Sequence, residues 1–293
     1  MQRQRLGRTE LKVSPVVYGA VINTGETLET TKGFVTEAIE RGVNYFDVAP
    51  SYGDAQELLG PALAPHRNDI ILACKTTERS CDGAQAELMD SLNALHTDYF
   101  DIYQIHSLSS MEDVDKIFAP HGAMEALMRA KKDGIIRNIG MSVHNEEAAL
   151  KAMDLFDFDT IMFPLNWSLG INSGWGDRIT KKAQETDKGM IAIKSISHRT
   201  WRDDEERRYP KSWCRPFDIE GDDVPLAIAA MKYSLTKGAM TLIPPGDIHH
   251  FRFMLDHIDE ALNEPLTEDE LELLEREAIK VKDEMIFNPY SHA

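Results

Sequence analysis

Three cysteines in 293 residues, Cys74, Cys81 and Cys214, are too few and too irregularly spaced for a disulfide framework or a cysteine zinc site. Their odd number points to a reducing compartment. No apolar run approaches the ~20 residues of a membrane-spanning helix. The opening MQRQRLGRTELKV lacks the apolar centre and small-residue cleavage site of a secretory leader. A cytoplasmic chain is expected. Positive charge is scarce as well: 32 Lys and Arg face 49 Asp and Glu, a net charge of -17. That deficit opposes nonspecific nucleic-acid binding and adsorption to anionic membranes, and it leaves a phosphate-bearing ligand dependent on local cations or backbone amides. No G-x-G-x-x-G follows the first apolar run, and neither a Walker-type loop nor a serine-hydrolase elbow occurs.

What is present is a rhythm. Hydrophobic residues make up 42% of the chain, enough for a core. Short apolar runs at 16–20, 44–48, 70–75, 99–105, 136–142, 160–164, 190–194 and 241–244 predict strands. Amphipathic stretches at 31–42, 86–96, 123–134, 146–156, 177–189 and 224–238 predict helices between them. Gly42, Gly134, Gly189 and Gly238 stand where helix C-caps belong, and Pro225 is placed like a first-turn proline. Eight such alternations predict an α/β fold, a (β/α)₈ TIM barrel, ahead of a doubly wound open sheet. QRQRLGRTELKVS adds an N-terminal β-hairpin with Gly7 in its turn, expected under the barrel. PLTEDELELLEREAIKVKDE, residues 265–284, reads as a C-terminal helix opened by a Thr267–Glu270 capping box. No linker or composition break divides the chain, so residues 1–293 are expected to form one domain, a monomer by default.

Barrel enzymes work at the carboxyl ends of their strands, so the ionisable groups there are the candidates. NYFDVAPSYG ends a strand on Asp47 and places Tyr52 in the next loop; the following strands end at Lys75 and His106. Singly, each has a plainer reading: Asp47 as a helix cap, Lys75 as a rim lysine, Tyr52 as a wedge in a turn, His106 as a core histidine. Together they explain one another. Lys75 is the partner a strand-end carboxylate requires, and its charge stabilises a tyrosinate beside it, since a phenol of pKa about 10 is a poor acid near pH 7.

GVNYFDVAPSYGDAQELLG, LACKT, LHTDYFDIYQIH and KKDGIIRNIGMSVHN, in this order and with RLGRTELKVSPVVYGA before and LIPPG after them, resemble the successive signatures of the aldo-keto reductase family. The resemblance implies a catalytic tetrad of Asp47, Tyr52, Lys75 and His106. It implies hydride transfer from NADPH, with NADH as the less frequent cofactor, to the carbonyl of an aldehyde or ketone. Tyr52 would donate the proton, and His106 would polarise the oxygen.

For the cofactor, the resemblance implies Ser142 and Asn166 as contacts, and it places Lys194 where an aromatic usually stacks on nicotinamide. Val143 and Met162 also depart from the family pattern. IPPGDIHHFRF offers Pro245, Gly246, Asp247 and Arg252 for the phosphates or a ribose hydroxyl; Arg252 has an equal alternative as an exposed helix residue. The long segment 198–223, with Arg199, Trp201, Arg202, Arg207, Arg208, Tyr209, Lys211 and Trp213, is expected on the active-site face. It is either a cofactor clamp or a solvated loop, and Asp203, Asp204, Glu205 and Glu206 within it read as solvated charge. His249, His250 and His257 read as surface helix residues, and Cys74 as core. Two other functions compete: a catalytically weak nicotinamide-nucleotide-sensing or regulatory protein on the same barrel, and a metal-dependent barrel isomerase or hydrolase, for which no carboxylate–histidine cluster occurs at the strand ends.

Overall fold

The computed structural model describes residues 1–203, 205 and 207–288. Strands β1 (Gln4–Arg5) and β2 (Lys12–Val13) pair as the antiparallel hairpin. The barrel strands follow: β3 (Tyr18–Gly19), β4 (Tyr45–Asp47), β5 (Ile71–Thr76), β6 (Phe100–Leu108), β7 (Ile136–Val143), β8 (Thr160–Pro164) and β9 (Gly189–Ile193). A small antiparallel pair, β10 (Ser197–Arg199) and β11 (Arg215–Pro216), lies in the long loop, and β12 (Thr241–Ile243) is the eighth barrel strand. All eight barrel strands are parallel, in the order β12-β9-β8-β7-β6-β5-β4-β3. Val17 N–H donates to Leu242 O and Leu242 N–H to Pro15 O, both at 2.9 Å, which joins the first strand to the last. The predicted (β/α)₈ barrel is therefore present.

The helices are α1 (Leu28–Glu40), α2 (Ala55–Leu63), α3 (Cys81–Ala94), α4 (Met111–Phe118), α5 (Ala123–Lys132) and α6 (Glu146–Leu155). Then come α7 (Trp167–Ser173), α8 (Asp177–Glu185), α9 (Val224–Thr236), α10 (Ile248–Asn263) and α11 (Glu268–Lys280). The Thr267–Glu270 capping box forms at the start of α11. Three short helices, α2, α4 and α7, were not legible as periodic runs. Pro61 interrupts the pattern of α2, while α4 and α7 have only two turns and rely on Ser110 and Asn166 as side-chain caps. No helix among the described residues is long and apolar enough to cross a membrane.

Gly42, Gly134 and Gly238 take the left-handed backbone of a helix C-cap, but Gly189 does not: it opens β9. The reason is packing, because a Cβ at Gly189 would lie 2.7 Å from Leu6 Cγ. Leu6, carried under the barrel by the hairpin, is fully buried with Val17, Tyr45, Ala73, Ile102, Met162 and Ile191. Strand alternation does the rest. Tyr45, Ala73 and Ile102 fill the lower interior, and two residues on, Asp47, Lys75 and Gln104 point the same way nearer the mouth. Cys74 faces the opposite side, in the shell between strands and helices.

Candidate active site

A cleft of about 730 Å³, counting its open mouth, lies at the carboxyl ends of the strands, a size suited to a small-molecule site. Asp47, Tyr52, His106, Ser142, His144, Lys194, Trp213, Pro245 and Gly246 are among its walls. At its floor the Lys75 ammonium donates to Asp47 Oδ2 and, at 3.1 Å, to Val48 O; both side chains are at most 2% exposed. Lys75 Nζ also lies 5.2 Å from the centroid of the Tyr52 ring. The Tyr52 and His106 rings meet edge to face at 5.8 Å. The structure thus brings the four sequence candidates together.

Local chain geometry sets each of them. Tyr52 sits in the turn between β4 and α2, where its N–H bonds Ala49 O and its carbonyl accepts from Ala55 N–H, each at 3.1 Å. His106 sits at a register shift of β6, next to Ser107 in the left-handed region at φ 52°. Such a bulge re-aims a side chain. Arg79, paired with Asp113, steadies it by donating to His106 O at 2.9 Å. His106 Nδ1 faces Ser51 Oγ at 3.5 Å, which leaves Nε2 for a ligand.

Electrostatics divide the roles. Burial, then the positive charges of Lys75 and Arg79, push the His106 imidazole down to about 2, so it is neutral at pH 7. Burial pushes the Tyr52 phenol up, and the Lys75 charge offsets this only in part. The sequence expectation of a lysine-lowered phenol is thus met by a stronger opposing effect, and Tyr52 carries its proton at neutral pH. Burial works against the Lys75 ammonium too, but Asp47 and Tyr52 outweigh it and hold the amine above its ordinary range.

Several expected cofactor contacts have other posts. Asn166 is 1% exposed and its amide is committed: Nδ2 donates to Lys194 O and Ser197 O at 3.0 and 2.8 Å, while Oδ1 caps α7. Asp247 is the N-cap of α10, accepting from His249 N–H and His250 N–H. Arg252 is held bidentately by Glu37 of α1, at 2.8 and 2.7 Å. His250 is not on the surface; it is fully buried, with Nε2 3.0 Å from Phe217 O. Ser142, Lys194, Pro245 and Gly246 do line the cleft.

In the long loop, Arg199 pairs with Glu205 and Arg208 with Glu220, so these cations and Glu205 are engaged with one another. Asp204 and Glu206 lie outside the described residues. Among the described residues of this loop, Lys211–Cys214 reach the cleft. Lys211 Nζ crosses to Ile22 O and Glu26 Oε1 at 2.7 and 2.6 Å, and the Trp213 ring packs 6.0 Å from that of Tyr52. His144 was overlooked. It stands just past the end of β7, and the strand-end rule that found His106 would have found it.

A bound nicotinamide nucleotide fits the groups left open here. Among the described residues Ser142 Oγ makes no hydrogen bond, and Ser212 Oγ is buried without a partner. Neutral His106, protonated Tyr52 and the aromatic wall of Trp213 suit a planar, polar ring.

The family model described as "Aldo/keto reductase family" matches residues 16–275. YqkF of Bacillus subtilis, named as an uncharacterized oxidoreductase, is 33% identical over 156 residues, 48% of this chain and 49% of that protein. The 6-dehydroglucose reductase of Novosphingobium aromaticivorans is 30% identical over 159 residues, 47% of this chain and 50% of that one. A probable voltage-gated potassium channel subunit beta of Oryza sativa subsp. japonica is 29% identical over 136 residues, 40% of each chain. The chain spans about half the length, or less, of these relatives. Among solved structures, the holo form of aldo-keto reductase AKR11C1 from Bacillus halodurans has a TM-score of 0.72 at 21% identity, covering 100% of this chain and 99% of that one. An aldo/keto reductase from Brucella melitensis gives 0.68 at 17% identity, covering 94% and 100%. These two likenesses concern the fold.

Proposed function

We propose that this chain, which belongs to the aldo/keto reductase family, is a cytoplasmic NAD(P)H-dependent carbonyl reductase, built as one barrel domain, with Tyr52 as its general acid. The observation that carries the reading is one cleft in which a protonated phenol, a buried ammonium–carboxylate pair and a neutral imidazole converge from consecutive strands. A reduced nicotinamide supplies the hydride when bound. Tyr52 gives its proton to the carbonyl oxygen, and the fixed charge of Lys75 stabilises the phenolate left behind. His106, neutral, donates a hydrogen bond from Nε2 to the same oxygen and adds no charge of its own. Asp47 keeps Lys75 charged and in place. Ser142, Pro245 and Gly246 offer the nucleotide a hydroxyl and close backbone approach, while Asp247 and Asn166 are engaged as helix caps and Arg252 by Glu37. NADPH is the first cofactor to try, as the more frequent one in the family, and NADH is tried beside it because Arg252, the candidate for a 2′-phosphate, is already held by Glu37.

Tryptophan fluorescence titrated with each nucleotide tests this, since Trp213 stands in the cleft wall. Micromolar quenching by one or both, followed by turnover on a panel of aldehydes and ketones, is the expected result. Calorimetry showing that neither nucleotide binds would end the reductase reading. A regulatory, nucleotide-sensing role is the second reading, favoured by the likeness to a channel subunit beta and by Trp213 packed against Tyr52. Tight nucleotide binding with no turnover across the panel would select it.

A further inference from the structure

We propose that Lys194 is an oxyanion subsite of the cleft, whose ammonium takes a carboxylate or phosphate carried by the ligand. This rests on the cleft being the ligand site and adds the chemical class of one group on that ligand. Lys194 follows β9 and lines the same cleft as Tyr52, His106 and Ser142. Its backbone lies in the left-handed region at φ 62°, which is unfavourable for a residue with a Cβ. The buried amide of Asn166 holds that turn through Lys194 O and Ser197 O. The strain aims a long cationic side chain into the mouth.

What surrounds the ammonium is aromatic and neutral. Lys194 Nζ lies 5.3 Å from the Trp213 ring centroid and 5.6 Å from that of Phe287. His144, its ring tilted against that of Phe287 at 5.3 Å, is held neutral by burial and by the charge of Lys194 itself, which together push it down to about 3. The Cys214 thiol is also near, pushed up by burial and thus uncharged. Lys194 has no carboxylate partner among the described residues. Lys194 is partly buried, and it differs from the fully buried lysines in its partners: Lys75, Lys188 and Lys232 are each at most 3% exposed, and each meets a carboxylate, from Asp47, Asp157 and Glu270. In a chain with 49 acidic residues a partly buried lysine in an aromatic cleft without one loses hydration that cation–π contacts repay only in part. Loss of water accordingly pulls the amine below its ordinary range. An anionic group on the ligand supplies the missing counter-charge. Trp213 bridges the two ends of the site, because its ring also packs 6.0 Å from that of Tyr52.

Lys194→Met keeps the length and removes the charge; Lys194→Arg keeps the charge. With folding checked by thermal melts, titration calorimetry measures NADPH, and then 4-carboxybenzaldehyde and 4-methylbenzaldehyde in the presence of NADP⁺, where no turnover occurs. An anionic ligand should bind about tenfold or more weakly to the Met variant, the usual size of a charge-assisted contact, with most of the affinity kept in the Arg variant. Weakening confined to the carboxylated aldehyde makes the substrate the source of the anion. Weakening of NADPH with both aldehydes unchanged makes it a cofactor phosphate. Equal affinities in wild type and Lys194→Met, or equal weakening that includes the neutral aldehyde, would overturn the proposal. Inorganic pyrophosphate separates this inference from the reductase reading. If the wild type binds no nicotinamide nucleotide yet binds pyrophosphate, and Lys194→Met does not, the subsite stands while the reductase reading falls. If neither the nucleotides nor pyrophosphate bind, both fall.

Discussion

Replacing Asp47 by Asn tests why a carboxylate is buried at the floor of this barrel. The change keeps size and shape, so it opens no cavity; it removes only the counter-charge of Lys75. That ammonium is fully buried and, apart from Asp47, has Val48 O at 3.1 Å as its hydrogen-bond partner. Removing one member of a buried ion pair costs about 3–5 kcal/mol, because the other charge remains without compensation. At roughly 2 °C per kcal/mol for a chain of this size, the melting temperature should fall by about 6–10 °C. Scanning calorimetry reads this directly. The double variant Asp47→Leu/Lys75→Met should be more stable than Asp47→Asn alone, since apolar replacement of a whole buried pair is often neutral or stabilising. It should be inactive as a reductase nonetheless. A loss below about 1 kcal/mol in Asp47→Asn would refute the reasoning, because Lys75 would then not depend on Asp47 for its charge.

Acid stability should report on His106. Its folded pKa, pushed to about 2, lies below the unfolded value of ~6.5, so at pH 7 and above both states are neutral and pH has no effect through this group. As pH falls through ~6.5 the unfolded chain takes the proton and the folded chain does not, which removes about 2 kcal/mol of stability between pH 7 and pH 5. Denaturant unfolding of His106→Asn should show a shallower loss by that amount; parallel pH dependences would count against a neutral buried imidazole. Gly7→Ala should destabilise by about 2 kcal/mol or more, because Gly7 has φ 50° and a Cβ there would sit 2.4 Å from Gly189 N and 2.6 Å from Asp187 O. An unchanged melting temperature would show that the hairpin yields freely.

Much of this architecture was readable because the barrel strands are short apolar runs, and three of them run into an ionisable residue. Asp47, Lys75 and His106 announce themselves at those points, and alternation puts Cys74 on the other face from Lys75. The barrel bottom was legible in outline only: Gly189 resembles a helix terminator until Leu6, far away in sequence, claims the space beside it. Side-chain commitments across the molecule were not legible at all. Arg252 and Glu37 are 215 residues apart, and nothing in IPPGDIHHFRF indicates that its arginine is already paired. Asn166 likewise looks available in sequence, but its amide serves the turn at Lys194. The sign of the Tyr52 shift was missed for a related reason. Residue types give the lysine beside the phenol, whereas the desolvation that opposes it depends on how Trp213 and the loop cover the site.

The central claim is that Tyr52 delivers the proton in carbonyl reduction, and Tyr52→Phe tests it most directly. Steady-state turnover of an aldehyde that the wild type reduces should be measured alongside the NADPH dissociation constant of the variant. Turnover should fall by a factor on the order of 10²–10⁴, the usual contribution of a general acid, with nucleotide affinity and melting temperature near wild type. Turnover within a few fold of wild type, with the variant folded and the nucleotide bound, would contradict the account.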